Sequence, residues 1–207
     1  MPDATLAEWS ARPGHESFTT LANLVTVLRT IGAVGLAMVA AQQGSLALLL
    51  ASLAVYWIGD VADGWVARLT HHETRIGAVF DILCDRLCAG AFYMGLAWLQ
   101  PDLAIPIGIY LLQFMAVDAF LSMAFLAWPI LSPNYFYVVD RTLWRWNWSK
   151  PGKAINSAAF AVLLVLTQNP WLGSGVALCL LGLKVASTVR LSRLGLPIPP
   201  GTQDSTR

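Results

Sequence analysis

Long apolar runs alternate with short polar connections along most of the chain. An apolar helix of about 20 residues is long enough to cross the hydrocarbon core of a bilayer. Six runs reach or approach this length, and each is predicted to form a membrane-spanning helix. They cover residues 21–41, 46–68, 76–99, 103–127, 153–168 and 171–190. The pattern therefore predicts an all-α fold, a six-transmembrane-helix bundle that occupies residues 21–193.

Two shorter segments flank the predicted bundle. Residues 1–20 carry Leu6 and Trp9 and are broken at Pro13, a pattern typical of an N-terminal interfacial helix. The leading residues lack the charged start and the apolar run of a signal peptide. Residues 194–207 contain three prolines and several small polar residues, so we expect a disordered tail.

The polar connections fall into two groups by charge. Those at residues 42–45, 100–102 and 168–170 contain no Lys or Arg. The connections and ends on the other side carry the positive charge: Arg12, Arg68, Arg75, Arg141, Arg145, Lys150, Lys153, Arg190 and Arg193. Because Lys and Arg concentrate on the cytoplasmic side of a membrane, both termini are predicted to be cytoplasmic.

The composition agrees with a membrane protein. Hydrophobic residues make up 57% of the chain and charged residues 12%, against about 25% charged residues in soluble domains. A length of 207 residues corresponds to one domain. The cysteines Cys84, Cys88 and Cys179 all lie in apolar runs, so they are expected to be core residues rather than a disulfide framework.

Four aspartates interrupt the second and third apolar runs: Asp60, Asp63, Asp81 and Asp85. Spacings of three and four residues place each pair on one helix face. A carboxylate at membrane depth costs about 2.5–3.5 kcal/mol, and four neighbouring carboxylates also repel one another. The predicted topology brings all four to a similar depth, slightly inside the cytoplasmic boundary. A site for divalent cations explains them best, since such cations prefer hard oxygen ligands.

These acids belong to a longer motif, D-x2-D-G-x2-A-R, a spacer of eight residues, then G-x3-D-x3-D. Its fixed positions are Asp60, Asp63, Gly64, Ala67, Arg68, Gly77, Asp81 and Asp85. The motif resembles the signature of the CDP-alcohol phosphotransferase family, also called CDP-alcohol phosphatidyltransferases, which are integral membrane enzymes of phospholipid biosynthesis. The resemblance implies transfer of a phosphatidyl group from CDP-diacylglycerol to an alcohol with release of CMP. It further implies two Mg2+ or Mn2+ ions and a homodimer. The expected location is a bacterial plasma membrane, and the predicted topology places the active site on its cytoplasmic side.

The resemblance also implies residue roles. Asp60, Asp63 and Asp81 would hold one metal ion, and Asp60, Asp81 and Asp85 the other. Asp85 would also serve as the general base. For CDP binding it implies Asp63, Gly64, Arg68 and Gly77, of which Gly64 allows close approach because it has no Cβ.

The first helix carries a second similarity to the family. Asn23, Thr26 and Arg29 lie on one helix face and match P-N-x-x-T-x-x-R, except that Ala22 replaces the proline. By resemblance these three residues line the CDP pocket. The alternative is a capped helix start in which Arg29 pairs with an acid.

The acceptor alcohol is less well defined. A phosphate-bearing acceptor needs cations, and the fourth helix has none but carries Asp118. The residues that could supply the charge are Lys153, Arg141, Arg145 and Arg190, with Lys153 favoured because Gly152-Lys153 resembles a family position. Glycerol 3-phosphate is the favoured acceptor. Inositol phosphate, a neutral alcohol and phosphatidylglycerol stay open.

Other functions are disfavoured. A cation or proton-coupled transporter should place polar groups through the full membrane depth, whereas the acids cluster at one side. The tryptophans and cations of residues 144–150 could stack on nucleic acid, but an interfacial aromatic belt explains them better, so no nucleic-acid partner is expected. His71 and His72 are expected to lie in a solvated loop rather than to bind metal.

Overall fold

The computed structural model of the protein describes residues 10–11, 16–70 and 72–197. This part of the chain is all-helical and contains no β-strand, although Ser10 and Ile130 form one isolated antiparallel bridge. The helices are α1 (Leu21–Gln43), α2 (Leu46–Leu69), α3 (Arg75–Leu99), α4 (Pro101–Ala127), α5 (Arg141–Asn147), α6 (residues 150–167) and α7 (Pro170–Leu194), with a short 3₁₀ helix at Pro133–Val138 between α4 and α5.

Polar residues define where the long helices begin. The hydroxyls of Thr20, Ser45 and Thr74 each accept a backbone N–H in the first turn of α1, α2 and α3. Asn169 does the same for α7. Gly44 ends α1 with φ 65°, a left-handed conformation that glycine adopts without strain. The tight turns between successive helices follow from these local signals.

Helices α4 and α6 are not regular throughout. Each contains a π-helical segment, Gln113–Asp118 in α4 and Ala154–Ala158 in α6. Tyr110, in the regular turn of α4 before its π-segment, donates a hydrogen bond to the backbone carbonyl of Asn156 in the π-segment of α6. π-Helical segments are rare in proteins overall, and those that occur are often found at functional sites.

Within the described residues, five helices are long and apolar enough to cross a membrane, namely α1, α2, α3, α4 and α7. This finding confirms a membrane-type helical bundle but not the predicted count of six. The predicted fifth span corresponds to α6, which begins at Lys150 and carries Lys153 before its short apolar part.

The distribution of side chains is that of a membrane protein. Large apolar residues such as Trp98, which is 74% exposed, cover the outside of the helices. Charged groups lie inside, and Lys184 is 2% exposed. In a lipid environment the apolar exterior carries no penalty, whereas interior charges require partners.

Packing places α1 against both α2 and α3, while α4 packs against α7. Small residues of α1, such as Ala33 and Ala37, let α2 approach closely in the main apolar core. A second core cluster includes Phe125, Phe136 and Leu191, and it joins the segment between α4 and α5 to α7.

Most of the predicted interfacial segment and of the predicted tail lies outside the described residues, as does His71. In the described part of the N-terminal segment, Ala11 donates its N–H to the carbonyl of Pro129. Glu16 accepts the backbone N–H groups of Arg75 and Ile76 at 3.3 and 3.0 Å. This stretch therefore rests on the start of α3.

Candidate active site

Four carboxylates from two helices converge on one guanidinium group. Arg29 of α1 donates from Nε to Asp63 Oδ2 at 2.7 Å and from Nη2 to Asp85 Oδ1 at 2.9 Å. The same Nη2 also donates to Asp81 and lies 3.8 Å from Asp60 Oδ1. The aspartate pairs of α2 and α3 thus form one cluster, as their helical spacing and the predicted topology require.

Arg29 is therefore bound to the acids, which is the alternative left open by the sequence, rather than lining a pocket with Asn23 and Thr26. Thr26 supports the same arrangement, because its hydroxyl donates to Asp63 Oδ2 at 2.8 Å. Thr20 caps the helix through the backbone N–H of Asn23, so the start of α1 is capped as well.

A glycine outside the motif makes this pairing possible. A Cβ at Gly59 would lie 2.6 Å from Arg29 Cδ, so only glycine leaves room for the arginine side chain to pass along α2. The sequence analysis missed Gly59. The available signal was a glycine in a helix interior directly before Asp60, where glycine costs helix stability without an evident reason.

The donor set of this cluster suits divalent cations. Carboxylate oxygens of Asp60, Asp63 and Asp81 all lie within 4.8 Å of one another. Together with Asp85 the cluster carries four negative charges, of which Arg29 compensates one. Arg29 Nη1 is buried and has no hydrogen-bond partner among the described residues. Hard oxygen ligands with uncompensated charge are what Mg2+ and Mn2+ prefer.

A first cavity of about 90 Å³ opens beside this cluster. Six of the seven residues predicted to bind CDP line this cavity: Asn23, Thr26, Asp63, Gly64, Arg68 and Gly77. The seventh, Arg29, does not line it. Helices α1, α2 and α3 each contribute to its wall. His72 and Glu73, from the connection between α2 and α3, also line it.

Two glycines shape the first cavity. A Cβ at Gly64 would lie 3.3 Å from Nη1 of Arg68, so the missing side chain lets Arg68 fold back over α2. A Cβ at Gly77 would lie 2.8 Å from Thr74 Oγ1 and 3.2 Å from Asn23 Oδ1. Gly77 therefore allows α3 to begin directly against the start of α1.

A second cavity, of about 330 Å³, lies on the other side of the acids. Asp60, Asp81 and Asp85 face it, together with Lys153 at the start of α6. Both π-helical segments contribute to its wall, through Asp118 and through residues 154, 157 and 158. This cavity is larger than the first, and aspartates of the same cluster line both.

Of the four cations predicted to contact an acceptor, only Lys153 lines this cavity. Arg190 instead forms an ion pair with Asp140, Nη2 to Oδ2 at 2.8 Å. Burial alone would raise the pKa of Asp140, but hydrogen bonds from Arg190 and from the Leu143 N–H lower it below its ordinary value. Arg141 and Arg145 lie exposed on α5 and line neither cavity.

The structure also explains Asp118, whose role the sequence left open. Its carboxylate accepts from Arg86 Nη2 at 2.7 Å and pairs with Lys184 Nζ at 2.7 Å. Lys184 also donates to Asn147 Oδ1 at 2.8 Å. This charge network joins α3, α4, α5 and α7 beside the second cavity. Arg86 directly follows Asp85 on α3, so its pairing with Asp118 fixes this part of α3 against α4.

The segment between α4 and α5 contributes to the walls of both cavities, a role that was not predicted from the sequence. Ser132 and Asn134 line the first cavity and the second. Tyr135 donates its hydroxyl to Glu73 at 2.7 Å. Burial, followed by the hydrogen bond and the charge of Glu73, raises the pKa of Tyr135, so the phenol stays a donor. Trp144 Nε1 donates to the Asn134 carbonyl at 2.8 Å.

Comparison with known proteins gives a family. The sequence model of the CDP-alcohol phosphatidyltransferase family matches residues 19–190 of this chain. Because that match covers most of the chain, the protein belongs to the CDP-alcohol phosphatidyltransferase family. Its members are membrane enzymes that use divalent metal ions, which agrees with the acidic cluster and the apolar helices.

Several curated mycobacterial relatives share the name phosphatidylinositol phosphate synthase. The relative from Mycobacterium tuberculosis is 38% identical over 79 residues, which is 37% of this chain and 35% of that protein. The relative from Mycobacterium marinum is 38% identical over 77 residues, 36% and 32% of the two chains. That from Mycobacteroides abscessus is 49% identical over 39 residues, 19% and 18% of the two chains. The chain thus matches only about a third or less of these relatives' length. No solved structure matches it significantly.

Proposed function

We propose that this protein transfers the phosphatidyl group of CDP-diacylglycerol to an alcohol and releases CMP. One observation carries the proposal: the four aspartates of the family signature meet at the boundary between two cavities. A group transfer between two substrates needs a donor site and an acceptor site that share one reaction centre. The transporter alternative has no comparable support, because the acids cluster instead of following a path across the bundle.

The first cavity is assigned to the donor. Its wall would offer the nucleotide the polar side chains of Asn23 and Thr26 and the accessible backbone at Gly64. Arg68, in the same wall, is available to bind a phosphate. An arginine suits this role because its planar fork of N–H donors matches phosphate oxygens. Arg29 pairs with the aspartates, so its proposed part beside this site is to organise the carboxylates.

The second cavity is assigned to the acceptor. Lys153 is the cation in it that has no ion-pair partner among the described residues, whereas Arg86 is paired with Asp118. An acceptor that bears a phosphate would therefore bind with that group near Lys153. The name shared by the curated relatives favours inositol phosphate over glycerol 3-phosphate, which becomes the second candidate.

The chemistry follows from the positions of the acids. The acceptor hydroxyl oxygen forms a bond to the lipid-linked phosphorus, and the bond from that phosphorus to the bridging oxygen breaks. The electron pair leaves with CMP, and Asp85, which faces the second cavity, takes the hydroxyl proton. Divalent cations held by Asp60, Asp63, Asp81 and Asp85 would neutralise charge on the pyrophosphate. Arg29 would hold the carboxylates together during the transfer.

The setting of the enzyme is also a proposal. Residues 21–193 are proposed to form the transmembrane catalytic domain, in which α6 is the fifth of six spans. Residues 1–20 would lie at the interface, and residues 194–207 would form a tail. Both termini and the active site face the cytoplasm of a bacterial plasma membrane, because Lys and Arg concentrate on that side. A homodimer is proposed from family resemblance alone.

An acceptor screen tests the function. Purified protein in lipid nanodiscs is given CDP-diacylglycerol and Mg2+ with inositol phosphate, glycerol 3-phosphate, inositol, glycerol or phosphatidylglycerol, and CMP release is measured. We expect CMP release that depends on a phosphate-bearing acceptor, with Asp81→Asn as the inactive control. If wild-type protein releases no CMP with any acceptor while it still binds CDP-diacylglycerol, the transferase proposal is wrong.

A further inference from the structure

We propose that Ser132 and Asn134 bind the phosphate that is transferred, at the boundary between the two cavities that they line together with Asp81. This inference rests on the proposed function. It concerns the segment between α4 and α5, which carries no part of the family signature. The two side chains would donate hydrogen bonds to the non-bridging oxygens of the lipid-linked phosphate.

The position of these residues is the first argument. Within the described part of the chain, four residues line both cavities: Ala78, Asp81, Ser132 and Asn134. The phosphorus must lie where the donor and acceptor cavities meet, because it exchanges one substrate's oxygen for the other's. Asp81 forms one side of that boundary, and Ser132 with Asn134 forms another.

The hydrogen-bonding state of Ser132 is the second argument. Its Oγ is buried and has no hydrogen-bond partner within the described residues. A buried polar atom without a partner is costly, and in native proteins it calls for an explanation such as a ligand. Asn134 is exposed and is anchored through its backbone carbonyl, which leaves its amide group available to a substrate.

The anchoring of the segment is the third argument. Phe136 is fully buried, Tyr135 is bound to Glu73, and Trp144 holds the Asn134 carbonyl. Ser132 and Asn134 are therefore held in place before substrate arrives. Preorganised donors stabilise developing charge without a cost of reorganisation during the reaction.

The chemistry of the donors is the fourth argument. During transfer the acceptor oxygen bonds to the phosphorus and the bridging oxygen departs with its electron pair on CMP. The non-bridging oxygens are negatively charged before this exchange, and the transition state spreads further charge over the equatorial oxygens, which include them. The carboxylate of Asp81 cannot donate to them, whereas a hydroxyl and an amide N–H can. Neutral donors also leave the charge balance of the acidic cluster unchanged.

The test uses full-length protein in nanodiscs with the best acceptor from the screen. Ser132→Ala and Asn134→Ala are compared with Ser132→Thr, which keeps the hydroxyl, and with Ser192→Ala, at an exposed serine on α7 that lines neither cavity. Loss of one hydrogen-bond donor to developing charge lowers kcat by about 10²–10³. We expect a decrease of that order for Ser132→Ala, recovery in Ser132→Thr, and wild-type rates in Ser192→Ala.

A sulfur-substituted donor separates direct contact from a structural effect. Sulfur in place of a non-bridging oxygen of the lipid-linked phosphate is a poor hydrogen-bond acceptor. If Ser132 contacts that oxygen, the rate ratio between oxygen and sulfur donors should fall in Ser132→Ala for one diastereomer. The inference would be overturned, and the proposed function would stand, if the wild-type enzyme is active and both alanine variants keep its kcat and its sulfur effect. Wild-type protein without CMP release would overturn the proposed function, and this inference with it.

Discussion

Arg29 Nε lies 2.7 Å from Asp63 Oδ2, and the same guanidinium group also reaches the other three aspartates of the signature. One side chain of α1 thus connects carboxylates that α2 and α3 bring from opposite sides of a turn. The arrangement holds the acids together although their mutual repulsion would separate them. It leaves three negative charges that bound cations can compensate.

Replacement of a shared carboxylate should abolish turnover. Asp60→Asn and Asp81→Asn each remove one negative charge from the set that would hold the cations, so CMP release should fall to background. Treatment of wild-type protein with EDTA should have the same effect, and Mg2+ or Mn2+ should restore activity. Full activity in the presence of chelator would contradict a metal-dependent reaction.

Asp85→Asn tests the proposed general base. We expect kcat to fall by at least the roughly 10²–10⁴ that a general acid–base group contributes. Binding of CDP-diacylglycerol, measured by calorimetry, should largely persist because the first cavity does not include Asp85. Loss of donor binding with normal turnover at saturation would exclude Asp85 from this role.

Lys153→Ala tests whether the acceptor carries a phosphate. A hydrogen bond to a charged group contributes about 1.5–3 kcal/mol, so the acceptor KM should rise roughly ten- to a hundredfold while the donor KM stays similar. Lys150→Ala is the matched control, because Lys150 lies on the same turn, is exposed and lines neither cavity. Equal acceptor KM values in the two variants would indicate a neutral acceptor.

Gly59→Ala tests the passage of Arg29 along α2. The new methyl group would overlap the arginine stem, and overpacking of this kind costs about 1–3 kcal/mol. The thermal midpoint in detergent should therefore fall. Gly35→Ala in α1 is the control, since nothing lies within 4 Å of its Cβ position. That variant should be neutral or stabilised, and a similar response of both glycines would refute the steric argument.

Asp118→Ala tests the buried charge network. Removal of this carboxylate leaves Arg86 and Lys184 without their common partner, and breaking a buried ion pair costs about 3–5 kcal/mol. We expect a large decrease in thermal stability. Asp102→Ala, at an exposed position in the first turn of α4, should change stability little. If the two variants melt at the same temperature, Asp118 does not hold the helices together.

Much of this molecule is determined by local features of its sequence. Apolar runs of bilayer length require helices, because backbone groups in lipid must bond within their own segment. The spacing of Asp60 and Asp63, and of Asp81 and Asp85, places each pair on one helix face whatever the rest of the fold does. The short turn between α2 and α3 then brings the two pairs together. The family signature and the acidic cluster could therefore be predicted without a structure.

Other features were decided only by tertiary packing. Arg29 could have faced the nucleotide or the acids, and the close approach of α1 to Gly59 directed it to the acids. Asp118 found its partners on α3 and α7, and Ser132 came to lie over both cavities from a segment with no regular pattern. These contacts join residues far apart in the chain. Their geometry depends on how whole helices pack, which no local spacing of residues encodes.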